Sequence, residues 1–122
     1  MITGKGLEFL VKKWAKADSG EFKNIIVGTN SEEPTEEDMI DTFKDYSIFH
    51  VDISSRTNQL VLSNNNISGK HLNNTVEIGV IGIDGNGEQL LVSRDTHPPI
   101  DIPSSSIISL EYIYTLKSMT KN

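Results

Sequence analysis

The stretch Val76-Glu77-Ile78-Gly79-Val80-Ile81-Gly82-Ile83, followed by Asp84-Gly85-Asn86-Gly87 and the apolar run from Gln89 to Ser93, constrains the fold more than any other part of the chain. β-Branched residues at this density fit the pleated surface of a strand. The Asp-Gly-Asn-Gly quartet tolerates positive φ and so closes a tight hairpin between the two runs. Further on, Ile108, Leu110, Tyr112, Tyr114 and Leu116 alternate with Ser109, Glu111, Thr115 and Lys117, the period-two pattern of a strand with one buried face. Pro98, Pro99 and Pro103 interrupt pairing between these pieces. Residues 75–118 are therefore expected to form one antiparallel β-sheet.

Upstream the period is first helical. Leu7, Leu10, Val11 and Trp14 recur at the spacing of an amphipathic helix. Thr3 is a candidate N-cap, and Ala17-Asp18-Ser19-Gly20 supplies the stop, with Gly20 available for a left-handed residue past the end. This predicts a helix over about residues 3–17 whose stripe lies on a sheet. Residues 22–27 (FKNIIV) predict a short strand ending at Gly28, and residues 29–34 a polar loop. Thr35-Glu36-Glu37-Asp38 has the cap and first-turn acids of a short second helix, with Met39, Ile40 and Phe43 packing one side. Phe49, Val51 and Ile53 then alternate with Ile48, His50 and Asp52 as one strand. Residues 58–63 follow as another, and residues 64–74, rich in Asn, Ser and Gly, read as a surface loop. The expected fold class is mainly β with α decoration: an antiparallel β-sandwich-like domain of about six strands, spanning residues 22–117, with an N-terminal amphipathic helix.

A chain of 122 residues suits one domain, and no internal repeat or linker divides it. No apolar run approaches the roughly 20 residues that cross a bilayer, and residues 1–14 lack a signal-peptide pattern, so no membrane partner is expected. Cysteine is absent, which removes disulfides, thiolate nucleophiles and Cys-based zinc sites. The net charge is -6, and the one basic group, Lys12, Lys13 and Lys16 with Lys5, falls opposite the helix stripe as a solvated face. Nucleic acid is accordingly not expected as a partner.

The search for chemistry assigns no catalytic, cofactor-binding or metal residue. His50, His71 and His97 stand in three segments without metal-ligand spacing. Asp84, Asn86 and Glu88 alternate like the start of a calcium loop, but the distal ligands are missing and the hairpin already explains them. Glu77 interrupts an apolar strand, and is read as an outward-facing acid or as one paired with Arg94 across the hairpin. Ser104-Ser105-Ser106 lacks a nucleophile context, and Gly4-Lys5-Gly6 and Gly69-Lys70 do not complete a phosphate loop. The sequons Asn66-Ile67-Ser68 and Asn73-Asn74-Thr75 fall in the Asn-rich stretch and are read as chance matches.

Four pieces in order resemble the small structural domain of phage tail-fibre and baseplate-associated proteins. They are the helix opened by Thr3-Gly4-Lys5-Gly6-Leu7; Ile25-Ile26-Val27-Gly28-Thr29 leading to Pro34-Thr35-Glu36-Glu37-Asp38; Val76-Glu77-Ile78-Gly79-Val80 with its hairpin and Leu90-Leu91-Val92-Ser93; and Asp101-Ile102-Pro103 before the last strand. The chain departs from that pattern in residues 64–74 and at Ser31-Glu32-Glu33. The resemblance implies a non-enzymatic virion structural protein, a tail or baseplate subunit or fibre adaptor, assembled in the host cytoplasm. Its implied partners are other virion proteins and copies of itself as a homo-oligomer. Alternatives are a receptor- or carbohydrate-binding module of a fibre and a head decoration protein. Against the carbohydrate reading, three of Trp14, Tyr46, Tyr112 and Tyr114 are expected in the core.

Overall fold

A computed structural model describes residues 1–16 and 20–116. Helix α1 (Gly4–Trp14) is followed by β1 (Glu21–Gly28), β2 (Ser47–His50), β3 (Asp52–Arg56), β4 (Gln59–Ser68), β5 (Glu77–Ile83), β6 (Gln89–Thr96) and β7 (Ile107–Thr115). The strands form two antiparallel sheets, one in the order β2-β1-β5-β6 and one in the order β3-β4-β7. The β-sandwich-like class with an N-terminal helix is thus observed. Residues 75–116 do not form one sheet, however: β5 and β6 pair as the expected hairpin, whereas β7 joins β4 in the opposite layer.

The crossing between layers explains another departure. The alternating stretch around Phe49 and Val51 is not one strand but two. β2 pairs with β1, β3 pairs with β4, and Val51 is buried at the bend between them. Ile53, expected on the buried face, is left half exposed because β3 is an edge strand.

Between the layers, Ile25, Val27, Val80 and Val92 of the first sheet meet Leu62 and Ile67 of the second. Phe9 and Phe22 close one end in an edge-to-face contact with centroids 5.2 Å apart. Complete burial of side chains of this size contributes about 1.5–3 kcal/mol each. The first sheet is also covered on its other face, where Ile26, Ile81 and Leu91 pack under Phe43 and Ile40 from residues 29–46. Double cover is why Ile25-Ile26-Val27 of β1 and the part of β5 after Glu77 read as continuous apolar runs rather than alternating ones.

That covering segment is not helical as expected. Its only helical element is a single 3-10 turn, Ile40–Thr42. Thr35 does not cap a helix. Its N–H and hydroxyl donate to the Asp38 carboxylate at 2.9 and 3.0 Å, closing a turn. Phe43 is buried as expected, but Met39 is exposed.

The stretch 64–74 also differs. Its first part continues β4 through Ser68, with a register shift between Asn64 and Ile67 that turns Ile67 into the core. Asn64 supports the bulge by accepting from the Asn66 N–H at 2.9 Å and donating to the His50 carbonyl at 2.9 Å. Asparagine here satisfies backbone groups that the bulge frees. The last strand presents Ile108, Leu110, Tyr112 and Tyr114 to the core as expected; Leu116 lies past its end, half exposed, and Lys117 lies outside the described residues.

Thr3 caps α1 as predicted, accepting from the Gly6 N–H at 2.8 Å. The stop differs: Ala17, Asp18 and Ser19 lie outside the described residues, and the left-handed residue is Lys16 (φ 54) rather than Gly20. The buried side of the helix is also not the expected stripe. Gly6 and Phe9 face the sandwich, and a Cβ at Gly6 would stand 1.9 Å from the Val92 carbonyl oxygen. Leu7, Val11 and Trp14 point to solvent, 57%, 58% and 65% exposed, and only Leu10 of the stripe is half-buried.

Candidate functional site

Two features stand apart from an ordinary sandwich: a buried ion network on the outer face of the first sheet, and the uncovered apolar side of α1. In the network, Glu77 and Arg94 lie on the paired strands β5 and β6, both fully buried. Arg94 Nε donates to Glu77 Oε1 at 2.8 Å. The pairing with Arg94 read from the sequence is therefore present, while the outward-facing placement of Glu77 is not. Residues 29–46 cover the strand face on which Glu77 lies.

The remaining donors and acceptors of the pair hold that covering segment. Arg94 donates through Nη2 to the carbonyls of Asn30 and Glu32, each at 2.9 Å, and through Nη1 to Asp38 Oδ2 at 3.1 Å. Glu77 Oε2 accepts from the backbone N–H of Asn30 at 2.6 Å and of Lys44 at 3.1 Å. Gly28 leaves the room for this, since a Cβ there would stand 2.6 Å from Glu77 Oε2. The Arg94 guanidinium also lies 5.7 Å from the centroid of the Phe43 ring.

Charge states follow the contacts. Burial pushes the Asp38 carboxyl up, but hydrogen bonds from Thr35 and the Arg94 charge outweigh it and hold the carboxyl below its usual range. Burial works to lower the Arg94 pKa, and Glu77 and Asp38 together reverse it, so the guanidinium is more firmly protonated than usual. Both Glu77 oxygens are spoken for and the side chain has no exposed surface. A general base must reach a substrate proton; this carboxylate reaches only the chain it braces.

A second polar group ties the two layers along β6 and β7. Ser93 Oγ and Tyr114 Oη are 2.6 Å apart, and Tyr112 donates to Asp95 Oδ2 at 2.5 Å. The other Asp95 oxygen meets the Met1 ammonium. Burial opposes ionisation of both phenols and raises their pKa values above the ordinary tyrosine range.

The histidines have separate surroundings: His50 Nε2 stands 3.6 Å from Asp52, the His71 ring lies against Phe49, and His97 Nδ1 is 2.9 Å from the Pro98 carbonyl. Among the described residues no group of three or more His, Asp or Glu side chains is arranged to hold a metal ion. Asp84 Oδ1 accepts from the N–H groups of Asn86 and Glu88 at 2.9 and 3.0 Å, and Gly87 takes φ 80, so these residues build the hairpin. Thr75 of the second sequon is buried, its hydroxyl donating to the Leu72 carbonyl.

The surface offers more than the interior. At the C-terminal end of α1, Trp14 and Leu10 line a groove of about 610 Å³ together with Ile2, Leu60, Ile113 and Leu116, among others. A second groove, of about 810 Å³, opens at the helix N-terminus between Gly4, Glu36, Glu37, Met39, Phe43 and Tyr46. Trp14, expected in the core, is thus a surface residue, as is Tyr46 at 48% exposed, while Tyr112 and Tyr114 are half-buried. The basic group is divided. Lys12 pairs with Glu8 at 3.0 Å, whereas Lys13 is half-buried and donates to the Gly20 carbonyl.

Sequence reasoning missed Asp38 and Asn30 as partners of Arg94, and it placed the helix stripe inside. One signal for the second was present: Gly6 and Phe9 mark a different side of the helix, where a residue without a side chain allows close approach. No protein-family model, curated protein or solved structure matches the chain.

Proposed function

We propose that this protein is a non-enzymatic assembly subunit that works by docking, and that its place is a bacteriophage tail or baseplate, as subunit or fibre adaptor. The observation that carries the assembly reading is the uncovered stripe Leu7, Val11 and Trp14. Monomeric proteins rarely leave large apolar side chains contiguous on the surface, and such patches mark interaction sites. The tail assignment draws on the ordered sequence resemblance. Two of its short motifs have structural work: Gly6 sits against β6, and Gly28 with Glu77 sits in the ion network. Both maintain a rigid sandwich on which a docking helix is fixed.

Mass spectrometry of gradient-purified tails from a phage encoding this chain tests the proposal. The chain is expected at a fixed ratio to the other tail proteins. Its absence from particles, or its recovery only with heads, contradicts the tail assignment.

A second reading, a glycan-binding module of a fibre, draws on the exposed rings of Trp14 and Tyr46. Competable binding on a glycan array would favour it over pure assembly.

A further inference from the structure

We infer that Asn86 is a site of spontaneous covalent modification, where the asparagine converts through a cyclic imide to aspartate and isoaspartate, and that Asp84 restrains the reaction. The Gly87 amide nitrogen attacks Asn86 Cγ. A bond forms between them, the nitrogen loses its proton, and the Cγ–Nδ2 bond breaks as ammonia leaves. Water then opens the five-membered ring on either side of its nitrogen. Breaking the new bond gives aspartate. Breaking the original peptide bond gives isoaspartate, whose main chain runs on through Cγ.

Sequence and geometry single out this residue. Asn86 is the one asparagine followed by glycine. Gly87 has no side chain to obstruct its nitrogen, and nothing stands within 4 Å of the place a Cβ would take. The side chains of Asn24, Asn30, Asn58, Asn64, Asn65 and Asn73 are each held by a hydrogen bond. Asn66 and Asn74 precede Ile67 and Thr75, which are buried and β-branched. Asn86 is exposed, and its side-chain amide has no partner among the described residues, so Cγ is free to turn toward Gly87.

The turn supplies the restraint. The Gly87 N–H donates to the Asp84 carbonyl at 3.0 Å, so the attacking nitrogen is engaged while the hairpin is closed. Asp84 Oδ1 holds that geometry through the N–H groups of Asn86 and Glu88. The reaction therefore proceeds from the locally opened turn, whose population Asp84 sets. Its products carry a new carboxylate between Asp84 and Glu88, and isoaspartate also lengthens the connection from β5 to β6.

The full chain is incubated at neutral and mildly alkaline pH, digested, and followed by peptide mass spectrometry. Isoaspartate is scored by methyl transfer from labelled S-adenosylmethionine, catalysed by an isoaspartate methyltransferase. The peptide containing Asn86 is expected to gain the mass of amide-to-acid conversion, faster at the higher pH and ahead of every other asparagine peptide, with methylatable isoaspartate among the products. Asn86→Gln removes the signal, because the longer side chain would have to close a six-membered ring. Asp84→Ala is expected to speed conversion about 10-fold through loss of two hydrogen bonds to a carboxylate, with far-UV circular dichroism unchanged. The wild-type chain unfolded in urea sets the upper limit of the rate. Conversion of another asparagine ahead of Asn86, or an Asn86 peptide unchanged in mass both folded and in urea, overturns the site. Equal rates in the folded wild type and Asp84→Ala overturn the restraint.

Discussion

Glu77 and Arg94 show what one buried pair does when every hydrogen bond is used. Charges removed from water cost several kcal/mol each, and the cost is offset only when partners surround both. Here the partners are backbone groups of Asn30, Glu32 and Lys44 and the Asp38 carboxylate, so the pair fastens a distant segment to the sheet. Glu77→Gln is expected to destabilise the fold by about 3 kcal/mol, because it leaves the buried Arg94 charge balanced by Asp38 alone. The double variant Glu77→Leu with Arg94→Met is expected to cost less than the sum of the two single changes, measured by urea unfolding as a double-mutant cycle. The acid and its partner were legible in the sequence, as a lone Glu and a lone Arg on adjoining apolar strands. Their depth was not, since it depends on a segment some 50 residues earlier folding over them. At Gly6 the interaction is steric. Gly6→Ala is expected to cost about 1–3 kcal/mol or more, since the obstructing atom is backbone, and to lower the melting temperature accordingly.

Among the elements, α1 departs most from the pattern in the sequence. Periodicity identifies the largest apolar stripe and assigns it to the core, which holds when a helix has only one use for an apolar face. Here the helix approaches β6 through Gly6 and Phe9, and the stripe lies on its flank. The segment 29–46 was legible as turn-rich, but its cover is fixed by long-range hydrogen bonds rather than by local propensity. Its attachment has a pH signature. Asp38 titrates below its ordinary 3.8 in the fold, so the unfolded chain binds the proton more readily. Its contribution is therefore complete above about pH 5 and is lost as pH falls below 3.8 through the lowered value. Urea midpoints measured from pH 2 to 6 should decline less steeply for Asp38→Asn, and amides of residues 30–44 should exchange faster in that variant. At the other end of the scale, Tyr112 and Tyr114 titrate above their ordinary 10.0. Stability they provide is intact below pH 10 and falls as pH rises beyond it. Tyr114→Phe, which gives up the Ser93 bond at a cost of about 1 kcal/mol, should soften that alkaline decline.

At the scale of the whole molecule, the sandwich class was legible from period-two patterning and one hairpin, whereas the division into layers was not. Nothing local in the sequence says that the chain changes sheets at Val51, or that β7 pairs with β4 rather than with β6. Those choices follow from which faces need cover once the sheet of β1, β2, β5 and β6 is coated on both sides. The result is a rigid body, braced internally by ions and tyrosines, that presents one helix outward. That helix face is the proposed working surface of an assembly part. A density map of assembled tails carrying this chain tests it most directly. The sandwich is expected in the tail or baseplate with Leu7, Val11 and Trp14 against a protein neighbour; a map in which that face lies open to solvent, or in which no such subunit is present, overturns the proposal.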